Sequence, residues 1–305
     1  MLPDVKKYNS ATIILSRGGA PDMFKDGKIK ESGHSAIVWM PDFVLRQQES
    51  VDECRCPGCH SSPPLLQFRW KNHVRHSASI GCERAAKAIL CHPTAFGINV
   101  SEAVAENLPE LNSGLLAVNQ ACLRLMAEYQ AEPEAFLFAL SRFISGFENS
   151  NGQTAYSIEE ALSALQPQQL RREFIQRRPF DIDKLAALRT LSEASLDREH
   201  SRIAQKLNEL KGVPDRVLRQ NLHVLEKQWH SGTPQQALHN YLYYELYHNF
   251  FPGCARQQWQ QNLALLCQKI FRLKILLIFS LRFDYSCDDI SVLVAACHRT
   301  GVFRQ

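Results

Sequence analysis

Apolar residues recur at intervals of three and four along most of the chain from about Ser101 onward, the spacing that gathers one face of an α-helix. The clearest run is Arg256 to Phe283, where Leu263, Leu266, Ile270, Leu273 and Leu277 form a stripe and Arg256, Lys269 and Arg272 lie off it. Leu111 to Tyr129 repeats the pattern with Leu115, Val118, Cys122, Leu125 and Met126. Pro133 suits a first helical position, and Phe136, Leu140, Phe143 and Phe147 follow it at helical spacing. Ser157 to Glu160 has the form of a capping box ahead of Ala161, Leu162 and Leu165. Asp181 to Leu210 predicts one long or broken helix that stops near Gly212 and Pro214. Val213 to Trp229, Thr233 to Phe251 and Asp288 to His298 complete the set, with Gly232 and Pro252-Gly253 as punctuation. The acids that open the last of these suit a helix N-terminus. No fixed-period repeat is present, which excludes a solenoid. The expected fold is mainly α, an irregular multi-helix bundle.

The first fifty residues break the pattern. Gly18-Gly19, Pro21, Gly27 and Gly33 punctuate them, and the apolar runs Thr12–Leu15 and Ala36–Met40 have strand length without a sustaining period. The chain therefore divides into an irregular segment at 1–53, a cysteine-containing turn with a first helix at 54–100, and a helical part at 101–305. Thr12 to Ala20 is the nearest match to a strand and glycine-rich cofactor turn, but it lacks a third glycine and an acidic partner, so a plain turn is the expectation.

Composition sets the class. Hydrophobic residues at 45% and charged residues at 22% of 305 describe a globular chain with a sizeable core, not a disordered one. The net charge of +4 comes from interleaved bases and acids, which gives no stripe for nucleic acid. Arg171-Arg172 and Arg177-Arg178 read as a solvated face. No apolar signal region follows Met1 to Ser10, and Ile270 to Leu281 is short and interrupted by Arg272 and Lys274. A cytoplasmic protein with no membrane span is expected. In that compartment ten cysteines are thiols or metal ligands rather than disulfides. Six of them (Cys91, Cys122, Cys254, Cys267, Cys287 and Cys297) fall in apolar helical sequence, where core packing is expected.

The other four carry chemistry. Cys54-Arg-Cys56-Pro-Gly-Cys59 places thiols on one side of a tight turn, and Cys82 follows. Cys56 and Cys59, with Cys82 and Cys54, are the candidate metal ligands, and His60 is a possible nitrogen donor. A redox dithiol and plain packing remain open beside the metal reading.

Cys56 to Pro63, then Lys71 to Ala86 with its Arg75-His-Ser77-Ala-Ser79 stretch leading to Cys82, resemble the middle segment of the flagellin lysine-N-methylases. The likeness continues through Leu111 to Phe147, Asn240 to Pro252 with its Asn-Phe-Phe-Pro ending, Ile270 to Ile278, and Asp288 to Arg299. About four-fifths of the chain is covered. The resemblance implies methylation of flagellin lysines with S-adenosylmethionine as donor, flagellin as partner, and an iron–sulfur cluster or zinc on Cys56, Cys59 and Cys82. Three departures stand out: no earlier cysteine-rich segment precedes Cys54, Ser62-Pro63-Pro64 replaces an aromatic-Pro-Arg, and Glu83-Arg84 replaces Pro-Glu. A truncated or divergent, inactive member is one form this takes. The alternative is a non-enzymatic helical binding protein whose cysteine-ligated metal only staples its N-terminal end. Catalytic residues and the donor site are not legible, because in-line methyl transfer depends on positioning and desolvation rather than on a spaced acid–base pair. Tyr241, Tyr243, Tyr244 and Tyr247 are compatible with a cation–π lysine channel or with core packing, their hydroxyls at the rim.

Overall fold

The computed structural model describes residues 12–16, 35–49, 54–61, 65–129, 132–149, 155–177, 184–193, 202–227, 229, 233–280 and 286–302. A small sheet and a large helical body share one continuous core that runs from Phe43 and Ile80 to Val294 and Val302. The mainly α expectation holds, and most helices fall close to the predicted runs; the helices at Asp42–Glu49 and Pro167–Arg177 were not among them. In chain order the helical body comprises α4 (Ser113–Ala127), α5 (Pro133–Asn149), α6 (Ala155–Ser163), α7 (Pro167–Arg177), α8 (Lys184–Glu193), α9 (Arg202–Glu209), α10 (Asp215–Lys227), α11 (Thr233–His248), α12 (Trp259–Ser280) and α13 (Cys287–Thr300). Before it come α1 (Asp42–Glu49), α2 (Pro57–Ser61) and α3 (Glu83–Leu90).

Helix ends follow local chemistry. Asn112 caps α4 by accepting from the Leu115 amide at 3.0 Å, a contribution of about 1 kcal/mol. The capping box sits at α13, where Ser286 and Asp289 exchange side-chain and backbone bonds and Gly301 closes the helix at φ 74°. Ser157 is no cap; it lies inside α6.

The N-terminal part is more regular than its sequence suggests. Five strands, β1 (Thr12–Ser16), β2 (Ser35–Pro41), β3 (Leu65–Arg69), β4 (His73–Ala78) and β5 (Ile98–Val104), form a sheet in the order β1-β3-β4-β2-β5. β2 and β4 run parallel with Ile37 opposite His73, and the remaining pairs are antiparallel. These strands escape a period-two search for opposite reasons. All six β4 residues are buried, four of them polar, whereas β5 is exposed almost throughout. Neither shows alternation. Gly18-Gly19 lies outside the described residues.

The sheet docks on α11 through a polar core. Arg75 on β4 is 0% exposed, and its guanidinium lies 3.6 Å from the Phe250 ring centroid and 4.5 Å from that of Tyr247. It donates to the Tyr247 carbonyl at 2.6 Å and to Asn119 Oδ1 at 3.1 Å. Asn119, from α4, also donates to the carbonyls of Leu246 and Phe251. These bonds hold an unusual helix end. Phe251 N–H bonds the Leu246 carbonyl and Phe250 N–H that of Tyr247, a Schellman pattern in which Phe250, at φ 48°, occupies the place glycine usually takes. Holding a side chain there costs about 1 kcal/mol, and the gain is a ring set against Arg75.

Three histidines in this region are held neutral. Burial lowers His73 to about 3, helped by Arg75, and His76 to about 4, helped by Arg69. Burial also lowers His248 to about 4, against Glu245 and with Lys269 and Arg75. An unfolded histidine titrates near 6.5, so below that pH the unfolded chain binds protons the folded chain refuses. Stability is expected to be complete above pH 6.5 and to fall steadily as pH drops toward about 4. Denaturant midpoints measured across that window would show it; a flat profile contradicts the neutral assignment.

Candidate metal centre

Two local structures bring the four cysteines together. The first is a tight turn in which Cys59 N–H bonds the Cys56 carbonyl at 3.0 Å and α2 begins at Pro57. The second is the end of β4, where the chain turns through Ser79 to Gly81 and Cys82 caps α3 in an extended conformation. Gly58 lets the two halves meet. A Cβ built there would lie 2.2 Å from the Gly81 carbonyl oxygen, closer than any real contact. Gly58→Ala must push the turn away from α3, and a loss of metal affinity on the order of tenfold or more is expected by competition with a chromophoric chelator. Wild-type affinity in that variant would contradict the close approach.

The sulfurs of Cys54, Cys56, Cys59 and Cys82 all lie within 4.8 Å of one another. Cys59 to Cys82 is 3.1 Å, Cys56 to Cys59 3.6 Å, and Cys82 to Cys54 3.9 Å. Cys54 thus lies with Cys56, Cys59 and Cys82 in one cluster. Cys82 is 1% and Cys56 9% exposed, while Cys54 and Cys59 are half-buried. One tetrahedral ion with metal–sulfur bonds near 2.3 Å spaces its ligands about 3.8 Å apart. The observed separations scatter around that value. A four-iron cluster carries its ligand sulfurs outward on separate irons and needs a wider frame. The four sulfurs fit a single ion. The side chain of His60 lies outside the described residues.

Electrostatics favour one thiolate, Cys56, among the four. α3 presents its first amides to sulfur: Glu83 N–H donates to Cys56 Sγ at 3.4 Å, and the Ala85 amide serves Cys82. A helix N-terminus stabilises thiolate. Bonding from Cys82, against a burial penalty and with the Glu83 amide, lowers Cys56 to about 4. Burial pushes Cys59 up to about 12, and the bond to Cys56 together with burial pushes Cys82 higher still. One thiolate therefore leans on protonated neighbours, which a divalent ion would replace by binding their anions directly.

The segment that delivers Cys82 is gripped by α11. Tyr244 donates to the Ala78 carbonyl and accepts from the Ile80 amide, just before Cys82. Asn240 donates to the carbonyls of Leu90 and His92 at the far end of α3. Tyr247 donates to the His76 carbonyl, and His248 is hydrogen-bonded to Ser77 at 2.8 Å. Tyr241, Tyr244 and Tyr247 are core residues, as one of the two expectations had it, but their hydroxyls bond within the protein, and Tyr243 is only partly buried. The first three are at most 3% exposed. The nearby cation in ring contact with Tyr247 is the chain's own Arg75.

The remaining cysteines divide. Cys122 and Cys297 are buried and Cys254 and Cys267 partly so, as packing predicts. Cys91 and Cys287 correct the expectation: they form a disulfide across 196 residues of sequence, with Cα atoms 5.8 Å apart. Each sits at a helix end, Cys91 closing α3 and Cys287 opening α13, and apolar context alone gave no sign that those ends meet. Arg171 bonds Glu132 and the Glu128 carbonyl, while Arg172 and Arg177 are solvated as expected; Arg178 lies outside the described residues. Among the described residues no helix is long and apolar enough to cross a membrane. No family model matches the chain, and neither a curated protein nor a solved structure does.

Proposed function

We propose that this chain is a flagellin lysine methyltransferase of the kind its motifs resemble, drawing methyl groups from S-adenosylmethionine in the cytoplasm. We also propose that its four cysteines hold one divalent ion, zinc in preference to an iron–sulfur cluster. The observation that supports both is the interlocking of motif stretches far apart in sequence. The cysteine turn meets Cys82 at Gly58, and Asn240, Tyr244, Tyr247 and His248 bond the backbone or side chains of β4 and α3. Residues that carry the resemblance therefore build one structural unit. The ion would supply charge neutralisation and a rigid crosslink; Cys54, Cys56, Cys59 and Cys82 would hold it, and α3 would orient Cys82.

The test is incubation of the purified protein with flagellin and S-adenosylmethionine, followed by mass spectrometry of flagellin peptides. Lysine masses raised by one methylene are expected; unmodified flagellin, with no heat of S-adenosylmethionine binding in calorimetry, overturns the enzymatic reading. The second reading, a non-enzymatic binding protein with a structural metal, gains from the burial of Tyr241, Tyr244 and Tyr247, which packs those three within the core rather than along a channel.

A further inference from the structure

Helix α3 is fastened to α13 at both ends. At its start, Arg299 donates to the Gly81 carbonyl at 2.9 Å, beside Cys82, and pairs with Glu83 at 3.3 Å. At its end, the Cys91–Cys287 disulfide joins it to the first residue of α13, and Lys87 pairs with Asp288 between them. A ligand of the cysteine site and a half of the disulfide are thus the two caps of one eight-residue helix. Lys87 and Asp288 are more than half exposed, so that pair holds little by itself. Cys91 and Cys287 are themselves only partly buried and open to a reagent.

We propose that Cys91–Cys287 is a redox-modification site whose state sets how firmly the four-cysteine site retains its ion, and that its reactant is a dithiol. One thiolate of the dithiol attacks one sulfur of the pair, forms a mixed disulfide and expels the other cysteine as thiolate. The second thiol of the reagent then closes its own disulfide and releases the first cysteine. The Cys91–Cys287 bond breaks, the reagent is oxidised, and the protein gains two electrons and two protons. With that crosslink open, α13 holds α3 through Arg299, the exposed ion pair and their apolar packing, with no covalent tie at the Cys91 end. Local opening at Cys82 then becomes more frequent.

This rests on the metal reading, and the experiment separates the two. Full-length protein is loaded with Zn²⁺, its disulfide verified by thiol counting, and metal release into excess chromophoric chelator is followed with and without a phosphine reductant. Release about tenfold faster after reduction is expected. The Cys91→Ala/Cys287→Ala double variant should release at the fast rate whether reductant is present or not. Arg299→Gln, with the disulfide intact, should also release faster, because it cuts the other fastening. Circular dichroism shows whether each variant keeps its helices. Stoichiometric zinc with equal release rates in both redox states overturns the clasp and leaves the metal site standing; should the double variant unfold, the wild-type comparison decides. Failure of the oxidised wild type to bind zinc overturns both.

Discussion

Cys59→Ser and Cys82→Ser are each expected to lose the ion and to soften the chain around α3. Cys82 is the more severe of the two, because it is 1% exposed whereas Cys59 is half-buried. A serine hydroxyl binds a soft divalent ion poorly, and the three remaining sulfurs leave an open coordination position. An ion held at a hundred times its dissociation constant stabilises the folded state by about 2.7 kcal/mol. For a chain of this size that corresponds to about 5 °C in melting temperature. Metal analysis and thermal unfolding check both effects, and unchanged metal content and melting temperature in the two variants contradict the ligand assignment.

Arg75→Met should be more damaging to the fold than any cysteine change. The guanidinium is fully buried, bonded to the Tyr247 carbonyl and Asn119, and packed on Phe250. Methionine fills much of the volume and leaves the Tyr247 carbonyl without that donor. Losing such a charge-assisted bond and the ring contacts costs about 3 kcal/mol or more. Arg75→Lys should rescue little of it, since an ammonium cannot reach two acceptors while lying flat on an aromatic ring. Urea unfolding measures the difference. A midpoint within error of wild type for Arg75→Met would show that the sheet docks on α11 by apolar contact alone.

Periodicity exposed the helical body because its stripes are long. α12 runs 22 residues, α5 17 and α4 15, enough turns for a 3.6-residue repeat to stand out. β1 and β2 fall on the apolar runs Thr12–Leu15 and Ala36–Met40, whereas β4 and β5 were hidden because β4 carries polar residues into a buried interface and β5 turns apolar ones to solvent. Cys54, Cys56, Cys59 and Cys82 were legible from spacing and residue type, but what unites them was not. A glycine whose Cβ would strike a carbonyl 23 residues later is invisible without coordinates. So is the role of α11, whose asparagine and tyrosines reach backbone, and whose histidine reaches the Ser77 side chain, more than a hundred residues earlier. The Cys91–Cys287 bond was missed for the same reason. Sequence context describes each cysteine's neighbours, and only the meeting of α3 with α13 makes them partners.

X-ray absorption on zinc-loaded protein addresses the coordination directly. Four sulfur neighbours at about 2.3 Å, with no second metal nearby, is the result this structure predicts. A first shell of nitrogen and oxygen, or a metal–metal distance in the spectrum of protein purified with its own metal, would contradict it.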